Sequence, residues 1–334
     1  MTQPPKIERR PKAYPPPEFP PRRPKLFAKT PPAVFPVVLG LLGLGLALRR
    51  AADVTGLPGA VAELVLGLVL GLWVFATAAL LIKIARRPGV VLEDLKVLPG
   101  RAGLAAASMS GMAAAGVLVP YAPGMALVLA VVAVLAHAVL AVLLGIVLLR
   151  GPKEARAVNP TWHLSFVGFI VAAGPLVYLG HADWAQLILW ATMVAAAAIW
   201  GLSLAQLIGR IPPAPLRPLL AIHLSPAALF CTVALALGQM QLATSFALFG
   251  AVIVLALVAA SRWITAAGFS PLWGSFTFPM AAFASAMIAM GGVWQKAGFV
   301  WLVIAALAIP MIAWRVLKMW PGGKLAGKTN AAEA

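Results

Sequence analysis

The chain alternates long apolar stretches with short breaks that are rich in proline, glycine or charge, a pattern typical of helices that cross a membrane. A helix needs about 20 apolar residues to span the hydrocarbon core. The pattern predicts ten spans, at 32–48, 58–82, 103–120, 123–149, 163–180, 183–207, 218–237, 241–261, 272–291 and 297–316. Very short links at 120–123, 180–183 and 237–241 predict antiparallel helical hairpins. We therefore expect an all-α integral membrane fold.

Proline separates the spans into two kinds. Interior prolines occur in odd-numbered spans, at Pro36, Pro175, Pro226 and Pro279, and Pro310 in the tenth span is the exception. A proline inside a helix removes a backbone hydrogen bond, and the freed carbonyl then needs protein or water around it. The pattern favours kinked odd helices on the inside and straight even helices on the outside. The alternative is that membrane helices tolerate proline and that the four positions coincide by chance.

Composition and charge point the same way. The chain is 62% hydrophobic and only 10% charged, whereas soluble domains average about 25% charged residues. The net charge of +17 sits in the N-terminal segment and in short loops, which disfavours a nucleic-acid-binding face. Only three of the 26 basic residues, Arg49, Arg50 and Lys296, fall on the side opposite the N-terminus. This bias predicts cytoplasmic termini in a bacterial inner membrane.

The same pattern divides the chain into three segments. Residues 1–31 are predicted to be a disordered, basic, proline-rich cytoplasmic tail, because prolines prevent a helix and few apolar groups are present to form a core. Residues 32–320 form the membrane domain, and residues 321–334 form a short cytoplasmic tail.

The sequence offers little chemistry to an enzyme. It contains no nucleotide-binding loop, no nucleophile elbow and no Cys/His cluster with metal-ligand spacing, so we expect no cofactor or metal. The apolar cores of the odd spans carry no Lys, Arg, Asp or Glu, whereas a coupled transporter usually buries an ionisable relay. We therefore expect passive conduction of anions through a neutral pore, with selectivity from helix dipoles and a basic cytoplasmic rim. A simple bundle of packed helices without a pore is also compatible with these patterns.

Two other functions remain open, an intramembrane enzyme and a haem-binding membrane protein. Two buried histidines can ligate haem. Of His137, His163, His181 and His223, only His137 and one partner are expected to approach each other. Glu63 lies near the start of the second span, where it is expected to reach the water interface and to play a structural role. Small residues in the odd spans permit close packing or line a lumen, namely Gly40, Gly43, Gly111 and Gly168.

Four stretches carry a family resemblance: Val34–Leu44, the Asn-Pro-Thr-Trp-His-Leu-Ser motif that begins at Asn159, Leu224–Ala227, and Leu272–Pro279. They resemble the tellurite-resistance and dicarboxylate transporter family, which includes the bacterial tellurite-resistance membrane protein and the slow-type anion channels of plant guard cells. The resemblance implies ten helices arranged as five hairpins around a central pore, and a homotrimer with one pore per protomer. Its partners would be membrane lipid and small anions: halide, nitrate, oxyanions or dicarboxylates.

The resemblance also assigns roles to residues. A phenylalanine of the ninth helix blocks the pore in this family, and Phe278 matches it. When Trp273 is aligned with the family's tryptophan, this chain has one residue more than the family pattern between that position and Phe278. Phe276 is therefore the alternative plug. Asn159, Pro160 and His163 are expected to brace the start of the fifth helix.

Overall fold

The computed structural model describes residues 25–152 and 156–334, so positions 1–24 of the predicted tail lie outside the described residues. The described part contains the following α-helices: α1 (Phe35–Thr55), α2 (Ala60–Arg86), α3 (Val90–Lys96), α4 (Leu98–Leu118), α5 (Pro123–Arg150), α6 (Ile170–Tyr178), α7 (Ala182–Gly209), α8 (Leu224–Ala236), α9 (Met240–Ala259), α10 (Ser261–Ile264), α11 (Gly274–Met290), α12 (Gly292–Leu317) and α13 (Lys324–Lys328). Short 3₁₀ segments, Pro32–Val34, Ala214–His223 and Pro271–Trp273, precede α1, α8 and α11, and a π-helical turn, His163–Val167, precedes α6.

Eight helices of the described residues are long and apolar enough to cross a membrane, which confirms an all-α, multi-pass membrane fold. They are Pro32–Thr55, Ala60–Arg86, Pro123–Arg150, Ala182–Gly209, Ala214–Ala236, Met240–Ala259, Pro271–Met290 and Gly292–Leu317. The third and fifth predicted spans fall on α4 and on the shorter apolar helix His163–Tyr178. Alanines, two serines and Arg101 make α4 less apolar than the others.

Burial divides the long helices into two groups. In the apolar stretches of Pro32–Thr55, Ala214–Ala236 and Pro271–Met290, 67–72% of the residues are buried. In those of the other five helices, 22–33% are buried. The buried group holds predicted spans one, seven and nine, and the exposed group holds the even-numbered spans. Burial in these eight helices therefore follows the odd and even order that the proline pattern suggested.

The buried helices contact one another in a closed cycle. Helix α1 contacts α4 and α11, α4 contacts α6, and α8 contacts both α6 and α11. We call these five the inner helices. Each one also contacts the helix that follows it in the chain, α2, α5, α7, α9 or α12, and we call those the outer helices. The inner helices thus surround a common axis.

The two ends of the described chain meet on one side of the molecule, which we call the terminal side; the opposite side is the distal side. The backbone N–H of Ala334 donates to the carbonyl of Ala28 at 3.1 Å. A buried ion pair lies beneath this contact, with Lys83 Nζ 2.8 Å from Asp94 Oδ2. Lys83 Nζ also donates to Thr30 O at 3.1 Å, and Asp94 Oδ1 accepts from the N–H of Ala332 at 2.8 Å. These groups join α2, α3 and the segments near both described ends, and we call them the terminal clasp.

The four prolines of the odd spans occupy two different settings. Pro175 and Pro279 lie inside α6 and α11. Pro36 and Pro226 lie in the first turns of α1 and α8, each just after a 3₁₀ segment. Proline is tolerated in a first turn because its missing N–H would have no partner within the helix there. Pro36 and Pro226 therefore mark junctions between helical segments.

Candidate functional site

Two cavities lie along the axis of the inner helices. The proximal cavity, of about 40 Å³, is on the terminal side, and the distal cavity, of about 340 Å³, is on the distal side. We call each inner helix, together with any 3₁₀ or π-helical turn that precedes it, an inner segment. In the first inner segment, Ala33 of the 3₁₀ turn and Pro36 and Leu39 of α1 line the proximal cavity, and five residues of α1 between Gly43 and Asp53 line the distal one. In the other four inner segments too, the earlier residues line the proximal cavity and the later residues line the distal one. All five inner segments therefore run in parallel, from the terminal side to the distal side.

Phe278 lies between the two cavities. It is 7% exposed, and it is the one residue of the described chain that lines both of them. Its ring packs against α1 at Gly43, where a Cβ atom would lie 3.1 Å from Phe278 Cδ2. The preceding residue, Thr277, donates through Oγ1 to Pro36 O at 3.0 Å and to Gly274 O at 2.7 Å. These bonds fix the register of α11 against α1 and so the position of the ring.

Phe276 occupies a different face of α11. Its ring meets Trp273 edge to face, with centroids 5.7 Å apart, and it is half-buried. It lines neither the proximal nor the distal cavity. The structure thus places the two candidate plug residues in distinct environments.

The described lining of the proximal cavity has no charged side chain. Its hydroxyl groups are those of Ser225 and Ser275. Ser275 donates to Pro218 O at 2.6 Å, whereas the buried Oγ of Ser225 has no partner within the described chain. The inner segments also begin on this side, so the positive ends of their dipoles point toward it. An anion here would meet a hydroxyl donor and a positive potential without a fixed charge.

The distal cavity is lined by Arg49, Arg50 and Asp53. Arg49 makes a two-pronged ion pair with Glu63, at 2.6 and 2.7 Å, and donates to Val117 O at 3.1 Å. Within the described residues, the one hydrogen bond of the Arg50 side chain is to the hydroxyl of Tyr178, at 3.4 Å, and its buried Nε has no partner there. Arg50 is therefore the available cation of this cavity, while Arg49 and Glu63 neutralise each other in a structural pair.

Sequence reasoning missed Arg50 and Ser225. The arginine entered only as a marker of topology, and the serine only as part of a motif. Their position near the ends of odd-numbered spans was the available signal, because such ends must face the mouths of any central passage.

The four glycines singled out from the sequence lie at close contacts. A Cβ at Gly40 would lie 2.2 Å from Thr277 Oγ1, one at Gly111 would lie 3.0 Å from Ala133 Cβ, and one at Gly168 would lie 2.8 Å from His137 Cε1. Gly43 packs against Phe278 and also lines the distal cavity. Close helix packing accounts for the first three, and Gly43 combines both roles.

The Asn159 motif forms the turn that leads into the fifth span. Asn159 Oδ1 accepts from the backbone N–H of Thr161 at 3.1 Å and from its hydroxyl at 2.6 Å. The carbonyl of Pro160 accepts from the N–H of His163 at 3.1 Å. His163 then reaches the 3₁₀ segment before α8, because its Nε2 lies 2.9 Å from Nδ1 of His223. The motif therefore connects the starts of two neighbouring inner segments.

This contact overturns the expectation that only His137 could approach another histidine. His137 pairs with Ser108 Oγ at 2.7 Å, while His163 and His223 pair with each other. Two ring nitrogens at hydrogen-bonding distance leave no room for a metal between them. Within residues 25–152 and 156–334, no group of three or more His, Cys, Asp or Glu could hold a metal ion. This geometry gives the haem alternative no support.

Comparison with known proteins adds one finding. A family model described as a voltage-dependent anion channel matches residues 29–319. No curated protein matches the chain. The match covers the inner and outer helices, both axial cavities and Phe278, and it confirms the resemblance drawn from the sequence motifs.

Proposed function

This chain belongs to the voltage-dependent anion channel family, and on that premise we propose that it conducts small anions passively through a pore that is closed by Phe278 and is neutral on the terminal side of that ring. Membership places it among membrane proteins that act as anion channels and transporters. The candidate ions are halides, nitrate, small oxyanions and dicarboxylates, because a passage without a fixed ligand set distinguishes anions by size and hydration rather than by coordination.

The position of Phe278 is the observation that supports the gate. A phenyl ring between two axial cavities obstructs the passage sterically, and it presents only apolar surface to water. Pro279 follows it inside α11, where the lost backbone hydrogen bond loosens the helix beside the ring. The wild-type protein is therefore mostly closed at rest, and opening requires the ring to move.

The polar groups on either side suggest a path. On the distal side, Arg50 raises the local concentration of anions. On the terminal side, the Ser225 hydroxyl and the helix N-termini stabilise an anion that has passed the ring. The proximal lining carries no ionisable group in the described residues, so that part of the path offers no proton relay. This combination favours passive conduction over coupled transport.

The proposed architecture is ten transmembrane helices arranged as five hairpins around this pore. The third span would be α4, which is less apolar than the others, and the fifth would be His163–Tyr178, which is shorter. They contact protein on several sides, so neither must present a long apolar surface to lipid. Each hairpin would pair one inner helix with the outer helix that follows it.

The terminal side would face the cytoplasm of a bacterial inner membrane, and three copies would form a homotrimer. Cysteines at positions 122 and 151, introduced in a background without Cys231, test the orientation. Position 122 should react with an impermeant thiol reagent from outside the cell and position 151 only after lysis. The reverse pattern would refute the orientation, and a monomeric mass in native mass spectrometry would refute the trimer.

Anion efflux from proteoliposomes tests the gate. Phe278→Ala should raise chloride and nitrate efflux at least about tenfold over wild type, since it removes the obstruction without adding charge. Phe276→Ala is the matched control and should leave efflux unchanged. Thermal stability is measured in parallel, because a buried Phe→Ala change costs roughly 3–5 kcal/mol.

The outcomes separate three situations. Efflux opened by Phe276→Ala alone would assign the plug to the other ring. If both folded variants conduct no better than wild type, the aromatic gate is wrong. If wild type and both variants conduct no anion, passive anion conduction itself is refuted.

A further inference from the structure

A third cavity lies outside the ring of inner helices, on the terminal side. Its volume is about 590 Å³, which exceeds that of either axial cavity. Its walls come from the start of α4, the turn before the fifth span, the end of α7 and the 3₁₀ segment Ala214–His223. The side chains that give it polar character are those of Lys96, Arg101, Asn159, Ser203, Gln206, Arg210 and His223. We call it the lateral cavity.

The lateral cavity has a one-sided charge. Lys96, Arg101 and Arg210 line it, and no carboxylate of the described chain does. Arg101 is 4% exposed, and its one hydrogen bond within the described residues runs from Nε to Leu95 O at 3.2 Å. The nearest acid in sequence, Asp94, is engaged by Lys83 and Ala332 in the terminal clasp. A buried guanidinium without a carboxylate is costly unless another anion neutralises it.

A second polar group also lacks a protein partner. Ser203 Oγ is buried against the same cavity and makes no hydrogen bond within the described chain. A hydroxyl and a guanidinium that line one cavity can both bind phosphate oxygens, because the cation supplies charge and the hydroxyl supplies a directed donor.

The rest of the cavity is apolar. Aliphatic side chains form much of its wall, namely Leu98, Leu207, Leu216, Leu219 and Leu220. At the end of α7, beside this wall, Ile208 is 82% exposed and Ile211 is 66% exposed. Arg210 lies between these two isoleucines and lines the cavity. The cavity thus has a buried cation inside and exposed aliphatic side chains at its edge, at the end of a membrane-length helix. These features fit an amphiphile with an anionic head and hydrocarbon chains.

We propose that the lateral cavity binds the headgroup of an anionic phospholipid, with its phosphate at Arg101 and Ser203 and its acyl chains along the end of α7. Basic pockets between transmembrane helices are known to suit such headgroups. Lys96 and Arg210 stand at the rim and add charge. Among the described residues, its lining shares only Leu219 with the proximal cavity, so the site lies beside the pore. Its occupancy would brace α4, α7 and the segment before α8 against one another.

Thermal stability of the purified full chain in detergent tests the site. Phosphatidylglycerol should raise the midpoint temperature by several degrees more than phosphatidylcholine with the same acyl chains. Arg210→Gln should weaken the phosphatidylglycerol titration about fivefold, the effect of one cation at a membrane surface. Arg101→Gln should abolish the specific increment. Arg262→Gln removes an exposed cation that does not line the cavity, and it should change nothing.

Arg210 makes the test independent of folding defects at Arg101, because its side chain is exposed. An equal response to both lipids would overturn the proposal. So would an unchanged phosphatidylglycerol titration in Arg210→Gln, or the same loss in Arg262→Gln. A parallel arm adds inorganic phosphate at constant ionic strength. If phosphate alone reproduces the increment, the cavity is a small-anion site and the lipid assignment is wrong.

Discussion

The two adjacent arginines of the distal cavity illustrate how neighbouring charges acquire different roles. Arg49 is neutralised by Glu63, whereas Arg50 faces the cavity with a single weak contact to Tyr178. We expect Arg50→Gln, made in the open Phe278→Ala background, to lower anion efflux by about tenfold at low ionic strength, since a cation in a cleft concentrates anions. The loss should shrink at high salt, because the Debye length falls to about 3 Å at 1 M.

Arg50→Lys is the matched control and should retain most of the efflux, because it keeps the charge. The informative comparison is the dependence of efflux on ionic strength in the three proteins. If Arg50→Gln in this background shows the same efflux at low salt as the Phe278→Ala parent, Arg50 does not attract anions to the pore.

Single residues also show where sequence reasoning stops. Phe278 was identified because a motif and an adjacent proline mark it, and its position between two cavities was not visible in the sequence. Within the described chain, Arg50 has no carboxylate partner because Glu63 of the next helix pairs with Arg49. The contact between His163 and His223 depends on two segments 60 positions apart starting at the same depth. Such pairings are decided by tertiary geometry, which residue types and spacing do not encode.

At the scale of helices, the contact between α1 and α11 at Gly40 is the closest helix contact made by the glycines singled out from the sequence. A Cβ at Gly40 would lie 2.2 Å from Thr277 Oγ1, and Thr277 is held by hydrogen bonds to Pro36 and Gly274. We expect Gly40→Ala to destabilise the protein by roughly 1–3 kcal/mol, because the hydroxyl cannot move aside without losing those bonds. The fraction of protein that remains monodisperse after heating in detergent measures the effect.

Gly67→Ala provides the control for this change. Gly67 lies in the outer helix α2, and a Cβ added there would meet no neighbouring atom within 4 Å, so alanine should be neutral or slightly stabilising. Equal heat resistance of the two variants would show that α1 and α11 can separate without cost.

Hydropathy predicted the order of the apolar segments better than their ends. The first span was expected to stop at 48, yet α1 continues to Thr55. Its end is set by Gly56, whose φ of 69° terminates the helix, and not by Arg49 and Arg50, which lie inside the helix. Helix α4 likewise starts at Leu98 instead of 103. Charges mark where lipid ends, whereas capping residues mark where a helix ends, and the two differ by a turn or more here.

For the whole molecule, the terminal clasp joins segments that are far apart in the chain. In the sequence, Lys83 directly follows the second predicted span, 58–82, and counts among the basic residues on the side of the N-terminus. Its side chain is fully buried with Asp94, which is 1% exposed, and between them they hold Thr30 and Ala332. The clasp therefore makes residues near both described ends part of the folded structure, although neither region has an apolar pattern that predicts it.

Removing one partner of the clasp should destabilise the entire protein. Lys83→Met leaves the Asp94 carboxylate buried without a cation, and we expect a loss of roughly 3–5 kcal/mol. The double variant Lys83→Met/Asp94→Asn should recover much of this loss, because the amide oxygen still accepts from Ala332 and no charge remains buried. Lys29→Met breaks the exposed pair with Glu333, whose side chains are 47% and 54% exposed, and it should cost at most about 1 kcal/mol. Midpoints of thermal unfolding in detergent rank the four proteins. If Lys83→Met unfolds no earlier than Lys29→Met, or if the double variant is no more stable than Lys83→Met, the buried ion pair does not stabilise the fold in this way.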